Sequence, residues 1–167
     1  MDPIQFLENV KTITVEKNFS SWQKKMGYAN LRAFMEDKSK YSVLSGVDFD
    51  CGWTDPKCAP KLVPKCGILR TSGYLHNGPC EVWLNNKKVS SAQNCHLAFN
   101  KATHCIDYSS CKGTCTLYHY WLAERELKGK PSWQVYKACV SLTDGGKTVE
   151  PSKCTPIGAD PEPYTQS

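Results

Sequence analysis

Ten cysteines crowd into the stretch from Cys51 to Cys154 of a 167-residue chain, and none lies outside it. A reducing cytosol would leave so dense and even a set reactive, whereas an oxidising compartment turns it into covalent staples. The expectation is therefore a secreted protein with all ten cysteines paired. Eight half-cystines already admit about 105 connectivities, so for ten the pairing stays open. Metal binding is the competing use. Cys95-His96, His104-Cys105, Cys111 and Cys115 gather sulfur and imidazole, but only Cys111-x3-Cys115 has zinc-ligand spacing, so disulfides are expected instead. No run approaches the roughly 18 apolar residues of a membrane helix. The opening Met1-Asp2-Pro3-Ile4-Gln5 lacks the basic and apolar regions of a signal peptide, which fits secretion only if the true start lies upstream.

Cysteine-free residues 1–50 read as helical. Asp2 and Pro3 suit a helix start, and Ile4, Leu7, Val10 and Ile13 follow at helical spacing, predicting a helix over 3–14. A second helix, capped by Ser20 or Ser21, is expected to carry Tyr28, Leu31, Phe34 and Met35 on one face. From Cys51 onward Gly, Pro, Asn and Asp punctuate short strand-like runs: 67–70, 81–84, 117–123 and 133–142. Asn85-Asn86 suits a hairpin tip, because asparagine tolerates left-handed backbone. The length predicts one domain over 1–155, helical to residue 50 and β from 51, followed by a Pro-rich tail over 156–167 that lies over the surface. Asn18-Phe19-Ser20 is a glycosylation sequon compatible with secretion.

Charge excludes little. With 21 basic and 16 acidic residues the net +5 gives a mild pull toward polyanions, short of a dedicated nucleic-acid binder. No G-x-S-x-G elbow supports a serine hydrolase, and Asp144-Gly145-Gly146 reads as a turn rather than a phosphate cradle. In 133–139, period-two alternation puts Gln134, Tyr136 and Ala138 on one strand face and Trp133, Val135 and Lys137 on the other. An amide and a phenol side by side can orient a ligand or satisfy each other inside a core. His76 precedes Gly78-Pro79 at a strand entrance, where a lone imidazole is ordinarily a surface residue.

Taken together, Cys51-Gly52-Trp53-Thr54-Asp55-Pro56, His76-x-Gly78-Pro79-Cys80-Glu81-Val82-Trp83, Asn94-Cys95, Cys111-x-Gly113, Tyr120-Trp121-Leu122-Ala123 and Trp133-Gln134-x-Tyr136-x-x-Cys139 resemble a known pattern. It is that of the oomycete lytic polysaccharide monooxygenases of auxiliary activity family seventeen, which attack pectin oxidatively. The likeness spans about residues 46–142. It implies a mainly β, immunoglobulin-like β-sandwich with N-terminal helical segments, stapled by disulfides. It also implies one copper ion held by His76, with Tyr136 axial and Gln134 placing the oxygen species, and an external electron donor. In such a site the mature N-terminal histidine supplies an amine and an imidazole, and a second imidazole completes three nitrogens suited to copper(II). This chain begins with Met1, so it is read as truncated or divergent at its N-terminus. Where the family reads Trp-Leu-Ala-Leu-His, this chain has Trp121-Leu122-Ala123-Glu124-Arg125, a fixed cation in place of an exchangeable imidazole. The expected partner is plant-wall polysaccharide, with homogalacturonan favoured and Lys87, Lys88 and Arg125 as binding cations. A monomer with neither nucleic-acid nor membrane partners is expected, and a copper-free binding or effector protein is the alternative. Cys139 is expected to tie its strand to the region of Cys51–Cys66.

Overall fold

A computed structural model describes residues 5–7, 17–99 and 101–160, the first three as backbone. The chain is mainly β. In order its elements are β1 (Gln5–Leu7), α1 (Phe19–Lys25), α2 (Leu31–Met35), β2 (Lys61–Leu62), β3 (Ile68–Arg70), β4 (Cys80–Leu84), β5 (Lys87–Ala92), α3 (Cys95–Ala98), β6 (Thr103–Cys105), β7 (Thr114–Leu127) and β8 (Lys130–Thr143). The larger sheet has the order β1-β8-β7-β4-β5, with β2 also on β8, and β3 pairs β6 in a separate two-stranded sheet. The long β7–β8 hairpin forms the centre and runs in continuous antiparallel register from Thr114↔Thr143 to Leu127↔Lys130.

The strands appear where turn residues bound apolar runs. Asn85, at φ 50°, turns β4 into β5 as expected of an asparagine at a hairpin tip. The helical expectation for residues 3–14 fails where it can be seen: Gln5–Leu7 is a strand antiparallel to β8, and the rest of that range lies outside the described residues. Apolar spacing is a weak prior against the row of unpaired backbone groups that a sheet edge offers. The second expected helix is two. Gly27, at φ 78°, separates α1 from α2, and the caps are Asn18, accepting from Ser21 N–H, and Asn30, accepting from Ala33 N–H, rather than Ser20 or Ser21. Both helices are short, and much of 17–50 is turn and irregular chain.

Each side of the main sheet has its own core. On one side Phe19, Trp22, Phe34 and Met35 from the helices pack on Trp83, Tyr120, Leu122, Trp133 and Val135. Trp133 receives Trp22 and Phe19 edge-on at ring separations of 5.0 and 5.1 Å. Glu81 joins helix to sheet, because its buried carboxylate accepts from Leu31 N–H, Arg32 N–H and the Trp83 indole at 3.1, 3.0 and 2.9 Å. It thus caps the start of α2 with a charge of the favoured sign. On the opposite side Val82, Leu84, Leu117 and Leu142 meet Ile106, Tyr108 and, at their margin, Leu69 of the small sheet.

Four disulfides staple these layers: Cys51–Cys139, Cys80–Cys95, Cys105–Cys154 and Cys111–Cys115. The first links β8 to the Cys51 region as expected. Full pairing is not observed, since Cys58 and Cys66 are exposed free thiols. They flank β2 in a proline-punctuated surface segment, and the other eight cysteines are consumed by one another. Past Cys154 the tail lies along β5: Ser91 N–H donates to Ile157 C=O, and Asp160 N–H donates to Lys88 C=O. No helix among the described residues is long and apolar enough to cross a membrane.

Candidate functional site

The chain from Asn77 to Pro79 extends β4 along β7. Leu122 N–H donates to Pro79 C=O at 3.0 Å, and Glu124 N–H donates to Asn77 C=O at 2.8 Å. Gly78 makes this approach possible. It sits at φ 134°, and a Cβ there would overlap the Leu122 carbonyl oxygen. The glycine of H-x-G-P therefore brings the half-buried His76 alongside the far end of β7, near Arg125.

β7 and β8 supply the remainder. Ala123 pairs with Gln134 and Trp121 with Tyr136, so both residues of interest project from the side opposite the Trp133–Val135 core. The sequence alternation is observed. Arg125 Nη1 donates to Gln134 Oε1 at 3.0 Å. A guanidinium only donates, so this bond fixes the amide with its oxygen toward Arg125 and its NH2 turned away. The Tyr136 ring stacks on Trp121 at 4.4 Å with an interplanar angle of 22°, and its side chain is nearly buried. On the other side of β8, Gln5 of β1 lies opposite Val135 and Phe6 opposite Gln134, so the N-terminal strand borders the same stretch.

Partial burial pushes the His76 imidazole below its ordinary pKa, and the Arg125 charge and His96 push it the same way. It is therefore neutral at physiological pH, the form that ligates metals. Sequence reasoning considered His96 only as part of a zinc pattern. Its Nδ1 donates to the Tyr74 carbonyl at 2.6 Å, since a carbonyl can only accept. That bond leaves Nε2 as the basic nitrogen, an arrangement also found in orienting contacts of metal-bound histidines. Tyr74, which sets the position of that carbonyl, was likewise missed.

Lys87 and Lys88 do not join this group. They begin β5, where Lys87 pairs with Leu84, while the His76 segment enters at Cys80. Four residues of β4 separate the two ends, about 13 Å. Lys88 already pairs with Asp160 at 3.1 Å. Of the three expected binding cations only Arg125 lies beside His76.

The donors fit copper in kind but not in number. An imidazole at His76 and a phenol at Tyr136 are nitrogen and oxygen donors of the kinds copper accepts. Among the described residues, however, no group of three or more His, Cys, Asp or Glu could hold a metal ion. No protein-family model matches this chain, and no curated protein sequence matches it.

Proposed function

We propose that this chain is a secreted, copper-dependent polysaccharide oxidoreductase of the type its sequence resembles, built as an immunoglobulin-like sandwich and acting on an acidic plant-wall polymer such as homogalacturonan. The observation that supports the reading is the convergence of His76, Arg125, Gln134 and Tyr136 at one end of one sheet face, from three separate segments. Four disulfides favour an oxidising, extracellular setting. In this reading His76 would hold the ion through one imidazole nitrogen and Tyr136 would face it with its phenol, and a processed N-terminal histidine would supply the further nitrogens. The chemistry such an ion would supply, with an external electron donor, is removal of hydrogen from a sugar carbon beside the glycosidic bond. Gln134, its amide held by Arg125, directs its NH2 as a hydrogen-bond donor. The Arg125 cation attracts polyuronate and opposes a second cation at the same place.

That opposition favours one alternative, a copper-free polysaccharide-binding or effector protein. Electron paramagnetic resonance of the copper-titrated, naturally processed protein separates the two. The enzyme reading expects one copper with an axial three-nitrogen signal, lost in His76→Ala and retained with altered axial parameters in Tyr136→Phe. Absence of stoichiometric copper from a protein with an authentic N-terminal histidine overturns it and leaves the binding protein.

A further inference from the structure

Asn18-Phe19-Ser20 is the chain's only Asn-x-Ser/Thr triplet, and the proposed chemistry makes no use of it. The fold holds it in place at the start of α1. Phe19 is buried in the helix-side core, and its N–H donates to Glu124 Oε1 at 2.7 Å. Ser20 Oγ donates to Gln93 Oε1 at 2.6 Å. Asn18 is exposed, and the two ends of its amide differ. Oδ1 accepts from Ser21 N–H at 3.0 Å, whereas Nδ2 has no partner among the described residues. Capping the helix needs only the oxygen and N-glycosylation only the nitrogen, so one side chain can do both.

Beside Asn18 lies a cavity of about 460 Å³, lined also by Ser20, Lys24, Gln93, Asn94 and Glu124. Every one of these side chains is polar, so an apolar body finds no matching wall. A sugar does find partners. Lys24 Nζ and Gln93 Nε2 are donors unpaired among the described residues, and Glu124 keeps Oε2 as an acceptor beyond its bond to Phe19. The volume lies within the range of pockets that hold a small ligand. The far wall adjoins the candidate site: Asn94 Nδ2 donates to Asn77 Oδ1 at 3.0 Å, next to His76, and Glu124 precedes Arg125.

We propose that Asn18 is an N-glycosylation site and that this cavity seats the first N-acetylhexosamine of its glycan. The bond that forms joins Asn18 Nδ2 to the anomeric carbon of that sugar. The bond that breaks joins the same carbon to a pyrophosphate oxygen of a lipid-linked oligosaccharide. The lipid pyrophosphate leaves with the electron pair, the amide gives up one proton, and nothing is oxidised. What the fold supplies is room for the product, an outward nitrogen and a polar seat beside it. The proposal rests on the secretory reading of the chain and is independent of copper. A glycan placed here borders the His76–Arg125 end of the sheet from the α1 side.

The test uses the full chain secreted from a glycosylating yeast behind an added leader. The leader supplies export, so a missing glycan counts against Asn18 and leaves the secretory reading standing. Intact mass is expected to exceed the sequence mass by one glycan, and a peptide N-glycanase should remove the excess and leave an aspartate in place of Asn18. Asn18→Asp keeps the capping oxygen but lacks the amide nitrogen, and Ser20→Ala removes the hydroxyl of the triplet; both should be secreted without the excess mass. After an endoglycosidase trims the glycan to a single N-acetylglucosamine, the acetyl methyl should give nuclear Overhauser contacts to the Lys24 and Gln93 side chains. A folded, secreted native chain without a glycan overturns the proposal. So does undiminished glycan mass in either variant, or a trimmed sugar that makes no contact with the cavity.

Discussion

Gly78 joins a backbone requirement to a site requirement at a single residue. Any side chain there meets both a positive φ and the Leu122 carbonyl, so the His76 segment must lift from β7. Gly78→Ala is expected to destabilise the chain by about 2 kcal/mol and to move the His76 ring resonances, both readable by thermal unfolding and NMR. His104 and His119 set a different dependence. Burial lowers the first to about 4 and the second, helped by the proximity of His104, to about 3, below the ordinary 6.5. Both values are depressed, so above pH 6.5 folded and unfolded chains bind no proton at these positions and stability is unaffected by them. As pH falls from 6.5 toward 4 the unfolded chain takes up protons that the folded chain refuses, and stability drops. Each imidazole adds a slope of up to about 1.4 kcal/mol per pH unit. Denaturant melts at pH 7 and pH 5 should show that loss, and a His104→Gln, His119→Gln double variant should flatten it. Of these residues only His76 and Gly78 could be picked out from sequence as a unit, because they are neighbours in a short motif. Tyr74, His104 and His119 are brought together across separations of 30 and 45 residues, and nothing local announces them.

At the scale of elements, α2 is too short to persist alone and depends on what receives it. Glu81 receives it. Glu81→Ala leaves the Leu31 and Arg32 amides and the Trp83 indole without their acceptor, and Glu81→Gln weakens all three bonds. The alanine variant is expected to cost about 3 kcal/mol, roughly 6–12 °C in a chain of this size, with the glutamine variant in between; differential scanning calorimetry measures both. The strands were legible because residues 133–139 alternate and turn residues follow the strands, Asn85-Asn86 after β4 and Asp144-Gly145-Gly146 after β8. The N-terminal elements were not. The spacing of Ile4, Leu7 and Val10 suits a helix, yet Gln5–Leu7 joins the open edge of β8, a long-range partner invisible in the local pattern. Gly27 and Asn30 carry the signal for the break between α1 and α2, but their effect is clear only once Glu81 is seen to meet the new helix start.

At the scale of the whole molecule, disulfides tie the Cys51 loop to β8, α3 to β4 and the tail to the small sheet. Eight cysteines are consumed and two remain exposed, so alkylation without reduction should label Cys58 and Cys66 alone, as peptide mass mapping would show. The cysteine count made a stapled β protein legible, but it could not reveal which pair is left over, because that depends on where the β2 segment runs. The tail has a role of its own. β5 is an outer strand of the main sheet, and Cys105–Cys154 anchors the chain from which residues 157–160 reach it. Ile157 and Asp160 occupy hydrogen-bonding groups that would otherwise face an approaching strand, and Lys88 and Asp160 close the end with an ion pair. The tail therefore works as a guard against self-association: a chain ending at Thr155 should keep its four disulfides yet stick to copies of itself through a bare β5, scattering more light as its concentration rises.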